Sequence, residues 1–576
     1  MKDNEEKVTS VWRDFEKGRM YNRTKNLYRD TEQNYDYYYG NQAKNLNIGN
    51  ETPVVLNIVK SIVKYKLGVV NSNAYEIVYS PNFYKKNQGE QIEQLCKALS
   101  KHSNKVWELQ QVGSKIKECV KDACINDEGI IHNYFDKEKQ EIVAEVIDKN
   151  NIYYGNENDS DIQSQPYIII SYRKPVSQVK EEAMKLEVSQ EDIELITPDG
   201  ETLEQAGYTS TTDEVNPMCL VLLKYYKENG KIYYTRAVKS VELESAESTE
   251  ETLYPLAHMV WEKVKGSARG IGAVRNIIPN QNEINRIATR RALSVKLTAF
   301  NKLIVNKDFI SNPQALEKVG STIELKGGAT INDVRQHIGY LSPANMSPDA
   351  KNLQDDLQSS TKDLEGAGDV AAGIVDPSQA SGKAILAVQQ ATQQPLNEQV
   401  DTYKTFIEDI ARIWFDIWKA YKVDGMQVVF EEKDKNGDTI EVPRTLSYAE
   451  LKELEANVKV EITPKSPYDR YAQEQSLENL FMNDKITFEE YVDALPEGSV
   501  MPKNILERIV QTRKENQARL TQMQIQADKI SSAMNQVMAM QEQNGNVVNN
   551  IAMQGENISS NAMSVIGESQ NEMSRM

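Results

Sequence analysis

The strongest pattern in the chain is the spacing of its apolar residues. Leu396, Val400, Tyr403, Ile407, Ile410, Trp414, Ile417 and Tyr421 alternate steps of four and three. That spacing predicts a long amphipathic helix, and Phe406 and Ile413 widen its apolar face toward a globular core. Ile92, Leu95, Leu99, His102, Val106, Leu109, Ile116, Val120 and Ala123 predict a second long helix, unbroken, with His102 on its apolar line as a core residue rather than a ligand. A shorter helix is expected from Val55, Val59, Ile62 and Val63, ended by Gly68. From Gly129 to about Lys239 the period changes to two. Strands are expected at 130–135, 141–147, 167–173, 218–226 and 231–238, and Asn229-Gly230 marks a hairpin turn. A short helix spans 176–186, residues 187–216 form a loop-rich excursion, and 241–252, with its five glutamates, is expected to be a solvated acidic loop.

The centre of the chain, from Gly270 to Lys383, is different in kind. A helix is expected to start at Ile278-Pro279, with Ile284, Ile287, Ala288, Ala292 and Val295 as a narrow apolar strip. A helix so polar elsewhere bridges solvent or packs against copies of itself. Leu303-Ile304-Val305 and Ile323-Glu324-Leu325 then indicate a small β-containing insertion. Ser347-Pro348-Asp349 starts another helix with Leu353, Leu357 and Leu364 on its edge. It runs into Glu365-Gly-Ala-Gly-Asp-Val-Ala-Ala-Gly-Ile-Val-Asp-Pro377, which reads as a surface linker or as a close-approaching, mobile backbone. Downstream, a hairpin is expected over 427–442, a strand over 458–462, a helix from Ser466-Pro467, a capping box at Thr487-Phe-Glu-Glu490 and a long helix from Pro502. After Gly545 the composition suggests disorder. The expected class is α+β, mainly helical.

Composition narrows the function by exclusion. The net charge of −18 on 576 residues argues against gripping nucleic acid through phosphate neutralisation, yet an acidic wall would let a duplex pass without sticking. The four cysteines and four histidines show no metal-ligand or disulfide spacing, so no metal and no cofactor is expected. No phosphate-binding loop, nucleophile elbow or paired-acid motif is present, so no catalytic residue is assigned. No apolar run is long enough to span a bilayer, and the start of the chain lacks a secretory core. The alternatives kept open are a tail or baseplate structural protein and a metal-dependent nuclease using acids such as Asp355-Asp356.

The order of the segments resembles the portal proteins of tailed double-stranded-DNA phages. The resemblance rests on Asp36-Tyr-Tyr-Tyr-Gly-Asn-Gln42, Pro53-Val-Val-Leu-Asn-Ile-Val-Lys60 through Gly68, Asp127-Glu-Gly129, Ile147-Asp148 to Tyr154, Gly270-Ile-Gly272 to Asn285, Ser381-Gly-Lys-Ala-Ile385 and Ser466-Pro-Tyr-Asp469. It implies an N-terminal arm (1–29), a wing (30–270 and 383–465), stem helices (271–298 and 347–366) and a clip (299–346). It also implies a tunnel loop (367–382), a crown (466–545) and a flexible tail (546–576).

The same resemblance implies a ring, expected to be twelve-fold, at one capsid vertex of the virion, made in the host cytoplasm. Its implied partners are the terminase large subunit as packaging motor, a head-completion adaptor, capsid and scaffolding proteins, and double-stranded DNA passing without sequence specificity. Asp355, Asp356, Asp363, Glu365 and Asp369 would then form acidic tiers near the bore, with Lys351 and Lys362 for ion pairs between neighbours; the alternative is a solvated helix face. Gly366, Gly368 and Gly373 would belong to the tunnel loop.

Overall fold

The computed structural model describes residues 2–45, 52–81, 89–199, 217–298, most of 302–341, 348–368, and 394–543 apart from short breaks. It combines helix and strand, about 56% and 21%, without a barrel, in two compact units divided between Pro464 and Lys465.

The first unit opens with helices α1 (Lys2–Thr24), α2 (Leu27–Tyr39) and α3 (Val59–Val70). The tyrosine run ends α2: Tyr37 and Tyr38 are buried and Tyr39 is exposed. Gly68 does not stop α3, which continues to Val70, and Val55 precedes the helix in an extended segment. Strand β1 (Asn73–Pro81) follows. The expected long helix is two, α4 (Gly89–Leu109) and α5 (Val112–Asn126). The break falls at Gln110-Gln111, where Gln111 takes a left-handed backbone with φ 51°. It coincides with the seven-residue gap between Leu109 and Ile116 in the apolar line, and Leu109 is exposed there.

Strands β2 (Glu128–Asp136), β3 (Glu141–Ile147) and β9 (Leu256–Val260) form a sheet in the order β3-β2-β9. Strands β4 (Ile152–Tyr154), β5 (Tyr167–Pro175), β6 (Met218–Glu228), β7 (Lys231–Ala237) and β8 (Glu242–Ser248) form a five-stranded antiparallel sheet. Helices α6 (Val176–Lys185) and α7 (Gln190–Leu195) lie between β5 and β6 in sequence. Asn229 and Gly230, with φ 51° and 79°, make the β6–β7 turn in the left-handed form that a two-residue hairpin requires. The acidic stretch after Val241 is not a loop but β8. Val241 and Leu243 point into the core, while Glu244 pairs with Arg236 at 3.2 Å across the sheet. Its glutamates therefore mark the charged edge of a sheet.

Two short strands, β10 (Glu262–Lys263) and β11 (Gly270–Ile271), pair just before helix α8 (Ala273–Thr298). In the insertion that follows, β12 (Lys302–Val305) pairs with β13 (Ile338–Leu341), and Ile310 bridges Leu325. Helix α9 (Asp349–Leu364) comes next, then α10 (Asn397–Tyr421). Strands β14 (Met426–Lys433) and β15 (Thr439–Leu446) form a hairpin, and β16 (Ala456–Pro464) returns to pair with β1.

Helix α10 is the pillar of the main core. Phe406, Ile407, Ile410, Ile413, Trp414, Ile417 and Trp418 are all buried, and the helix packs on β1, β2, β9 and β16. The Trp414 indole donates to Asn133 Oδ1 at 2.9 Å, and Trp107 and Trp418 meet the Trp414 ring edge-on. His102 rests half-buried against Trp418, and burial lowers its pKa to about 4.

The second unit has α11 (Pro467–Met482), α12 (Phe488–Asp493) and the 41-residue α13 (Lys503–Gln543). Its small core joins Tyr491, Val492 and Leu495 to Phe481, Leu506 and Val510. The capping box is formed: Thr487 accepts from the Glu490 N–H, and the Glu490 carboxylate accepts from the Thr487 N–H. The tail after residue 545 lies outside the described residues, as does the turn between β14 and β15. No described helix is long and apolar enough to cross a membrane.

The buried His132 should make the first unit acid-labile. It lies between the Tyr172 and Tyr225 hydroxyls, at 3.1 and 2.9 Å, and burial lowers its pKa to about 3. The unfolded chain takes up a proton near pH 6.5 and the folded one does not. Stability is therefore full above that value and falls as pH drops toward about 3. At pH 5 the loss is about 2 kcal/mol. Asp122 acts oppositely: burial raises it to about 6, so acid relieves its cost of ionisation. Denaturation at pH 7 and 5, compared between the parent and His132→Gln, isolates the histidine; the variant should lose about 2 kcal/mol less over that interval.

Candidate functional site: the α8–α9 helical pair and its anchorage

Helix α8 begins at Ala273, upstream of the expected Ile278-Pro279, and carries Pro279 inside it. Ala273, Val274 and Ile277 are buried, and that packing offsets the backbone hydrogen bond the proline omits. Its start is fixed by Asp127, whose Oδ1 accepts from the Gly272 N–H at 2.7 Å. A side chain at position 272 would stand 2.9 Å from the Asp127 nitrogen and 3.0 Å from the Cys124 carbonyl, so only glycine allows the approach.

Around that start lies a buried ionic cluster that sequence reasoning missed. Lys149 Nζ meets Asp127 Oδ2 at 2.6 Å. Arg269 joins Glu128 and Glu157, each at 3.0 Å, and His258 meets Glu128 at 2.8 Å. Burial alone would raise the Glu128 pKa, but the facing Arg269 and His258 bring it down to about 2. Asp127 has φ 78°, a conformation uncommon outside glycine and held here by its three partners, Gly272, Lys149 and the Trp261 N–H. The one trace of this cluster in the sequence is the spacing of Asp127-Glu-Gly129 and Arg269-Gly270.

The polar face of α8 does not wait for solvent or for another copy of the chain. Gln281, Asn285 and Thr289, spaced four residues apart, are buried. They bind the extended segment before α3 much as a neighbouring strand would. Gln281 accepts from the Ile58 N–H at 3.0 Å and donates to the Leu56 carbonyl at 2.8 Å. Asn285 accepts from the Leu56 N–H at 2.9 Å, and Thr289 from the Val54 N–H at 2.9 Å. Asn285 also donates to Gln42, which donates to the Tyr37 carbonyl. The apolar strip is buried at Ile284, Ile287 and Ala288, but Val295 is exposed.

Helix α9 packs on α8 through polar contacts too. Arg291 donates to Gln354 at 2.7 Å and Asn280 to Thr361 at 3.1 Å. The expected apolar edge is largely outward: Leu353 and Leu364 are 52% and 81% exposed, and only Leu357 reaches the core.

Asp355, Asp356 and Asp363 are exposed, as is Lys351, while Lys362 is partly covered. Asp349, Asp356 and Asp363 are seven residues apart and form one strip, because a helix returns to nearly the same direction after seven residues. That strip faces away from the buried side at Gln354 and Thr361.

Glu365 is separated from these acids. It reaches back to Lys66 on α3 at 2.5 Å, with only 6% and 17% of the two side chains exposed. Gly366, at φ 69°, ends α9: the Ala367 N–H returns to the Lys362 carbonyl and the Gly366 N–H to that of Asp363. It is thus the helix stop. Gly368 lies against the Asp363 carboxylate. Asp369 and Gly373 are outside the described residues.

Among the described residues no group of His, Cys, Asp or Glu could hold a metal ion. The segment builds a stiff helical pair, riveted to its own chain on one side and charged on the other, as in a structural assembly protein. The chain belongs to the phage P22-like portal protein family, whose model matches residues 15–552. That family is structural rather than enzymatic; its members are virion components that act as multimeric rings associated with the capsid. Comparison with individual curated proteins gives no match. The resemblance drawn from the order of the motifs is correct at the level of the family.

Proposed function

We propose that the protein forms a ring, twelve-fold by resemblance, at one capsid vertex, through which the genome is packaged and later ejected. In this reading α8 and α9 are the stem, the β12–β13 insertion is the clip, residues 367–382 are the tunnel loop and the unit after Pro464 is the crown. The terminase large subunit and a head-completion adaptor dock on the ring, and capsid and scaffolding proteins surround it. The family match carries the reading. The exposed Leu353, Leu364 and Val295 support it, since a second copy of the chain would cover them in a ring. Native mass measurement and axial views of purified particles test it. Twelve-fold closed rings are expected; a stable monomer would count against a ring, and six-fold particles would count for the tail-protein alternative.

The seven-residue strip of acids on α9 supports a repelling channel wall. Such charges act over about 8 Å at physiological salt, enough to matter beside a duplex. Replacing Asp355, Asp356, Asp363, Glu365 and Asp369 by lysine should slow DNA passage, more at low salt than at high. Glu365 contributes mainly through Lys66, so leaving it intact should preserve the passage defect while sparing α9. Unchanged packaging and ejection in assembled particles of the four-residue variant would overturn the bore assignment.

A further inference from the structure

Between the two larger sheets lies a cavity of about 600 Å³, with Tyr421 of α10 in its lining. His132 of β2 and Glu145 of β3 stand on one wall, Tyr172, Tyr225 and Tyr234 of the five-stranded sheet on the other. The stem reading gives this cavity no task.

Its charges are arranged unequally. The basic groups on its wall are engaged: Lys174 and Arg236 by Glu182 at 2.8 and 2.6 Å, Arg236 also by Glu244, and Lys185 by Glu138 at 2.9 Å. Lys137 meets Glu247 at 3.5 Å. An anionic ligand would have to break these pairs.

Two carboxyl groups are left over. Glu145, exposed at the rim, makes no ion pair among the described residues. Glu251 is only 3% exposed; its carboxyl accepts from the Tyr421 hydroxyl, but its Oε2 has no hydrogen-bond partner. Asp416, whose charge acts on Glu251, is itself occupied by the Thr252 and Leu253 N–H groups at 2.6 and 3.0 Å. A buried acceptor without a donor is costly and calls for a partner.

The aromatic rings specify what that partner is. The hydroxyls of Tyr172 and Tyr225 are held by His132, and that of Tyr234 by Glu244. Their rings, with Tyr421, which is itself stacked on Phe135 at 4.8 Å, form the apolar lining, and ring faces attract cations. We propose that this cavity is a binding site for a small organic ammonium ion, held by the Glu251 carboxylate, steered by Glu145 and enclosed by the tyrosine rings.

Binding should move a proton. Burial, and then the Asp416 charge, push the Glu251 carboxyl well above the usual carboxylate range. The titratable groups facing it are Asp416 and Tyr421 from α10 and Tyr225 from β6. In the empty site burial and the Asp416 charge thus both favour the protonated carboxyl. An entering ammonium favours the carboxylate, and the proton passes to the buffer.

The test is calorimetric titration of the assembled full-length protein with 1,4-diaminobutane, in two buffers of different ionisation enthalpy at neutral pH. Saturable binding at one site per chain is expected, with proton release, while 1,4-butanediol and acetate give no saturable heat. Glu251→Gln should abolish the proton release and weaken binding by about tenfold or more, as loss of a charge-assisted contact implies. Glutamine is near-isosteric with the Glu251 carboxyl; Glu145→Gln, at an exposed position, weakens binding without affecting folding. The proposal is overturned if the diamine does not bind, if the diol binds as tightly, or if both glutamine variants bind like the parent.

Discussion

Gln281→Ala is expected to destabilise the first unit by about 2–4 kcal/mol, because it removes the side chain shared by three backbone groups, leaving the Ile58 N–H and the Leu56 carbonyl only each other and the Val59 N–H without this acceptor. The Ile58 and Val59 N–H groups and the Leu56 carbonyl all meet this one side chain. Gln281→Leu, which keeps the volume, should be nearly as damaging, and that equality separates hydrogen bonding from packing. By contrast Gln281→Glu keeps an acceptor for the two N–H groups but sets a carboxylate against the Leu56 carbonyl, so it should fall between the parent and the alanine variant. Denaturant unfolding measures all three. A loss below about 1 kcal/mol for both alanine and leucine would mean that the seam is not held by these bonds.

Arg269→Met should cost a similar amount, about 3–5 kcal/mol, since it leaves Glu128 buried beside Glu157 without the guanidinium. This variant has a pH signature. In the parent, Glu128 is held near 2, below its unfolded value, so its stabilisation is present above about pH 4.5 and is lost as pH falls toward 2. Without Arg269, burial, the largest influence, is opposed only by His258 and Lys149, and the Glu128 carboxyl is driven upward. The variant should then lose less stability than the parent on acidification from neutral pH. Adding Glu128→Gln to Arg269→Met should recover part of the loss. Failure of the double variant to recover would show that Arg269 acts through Glu157 and the carbonyls of Lys149 and Ile152 instead.

Where a segment's own apolar period decides its structure, the sequence was readable. Helix α10 was foreseen to within a residue, and the β6–β7 hairpin followed from Asn229-Gly230. Where a partner decides, it was not. The polar face of α8 reads as solvated because hydropathy records transfer to an apolar medium, not bonding to the Val54–Val59 backbone. Strand β8 was hidden by its glutamates, since only Val241 and Leu243 carry the inward signal. Strand β1 was passed over because its partner lies far along the chain. Of the candidate site, the acids on α9 were legible as a group; that Glu365 turns back to Lys66 was not, because nothing local links those two positions.

The β1–β16 pairing has a consequence for synthesis. Asn73 lies opposite Pro464 and Pro81 opposite Ala456, so the ribosome must deliver nearly the whole first unit before its early strand finds its mate. Until then β1 presents an unpaired edge. A chain cut short anywhere before residue 456 leaves that edge open, and a prematurely terminated product is thereby marked for aggregation or proteolysis before it can be counted into a particle.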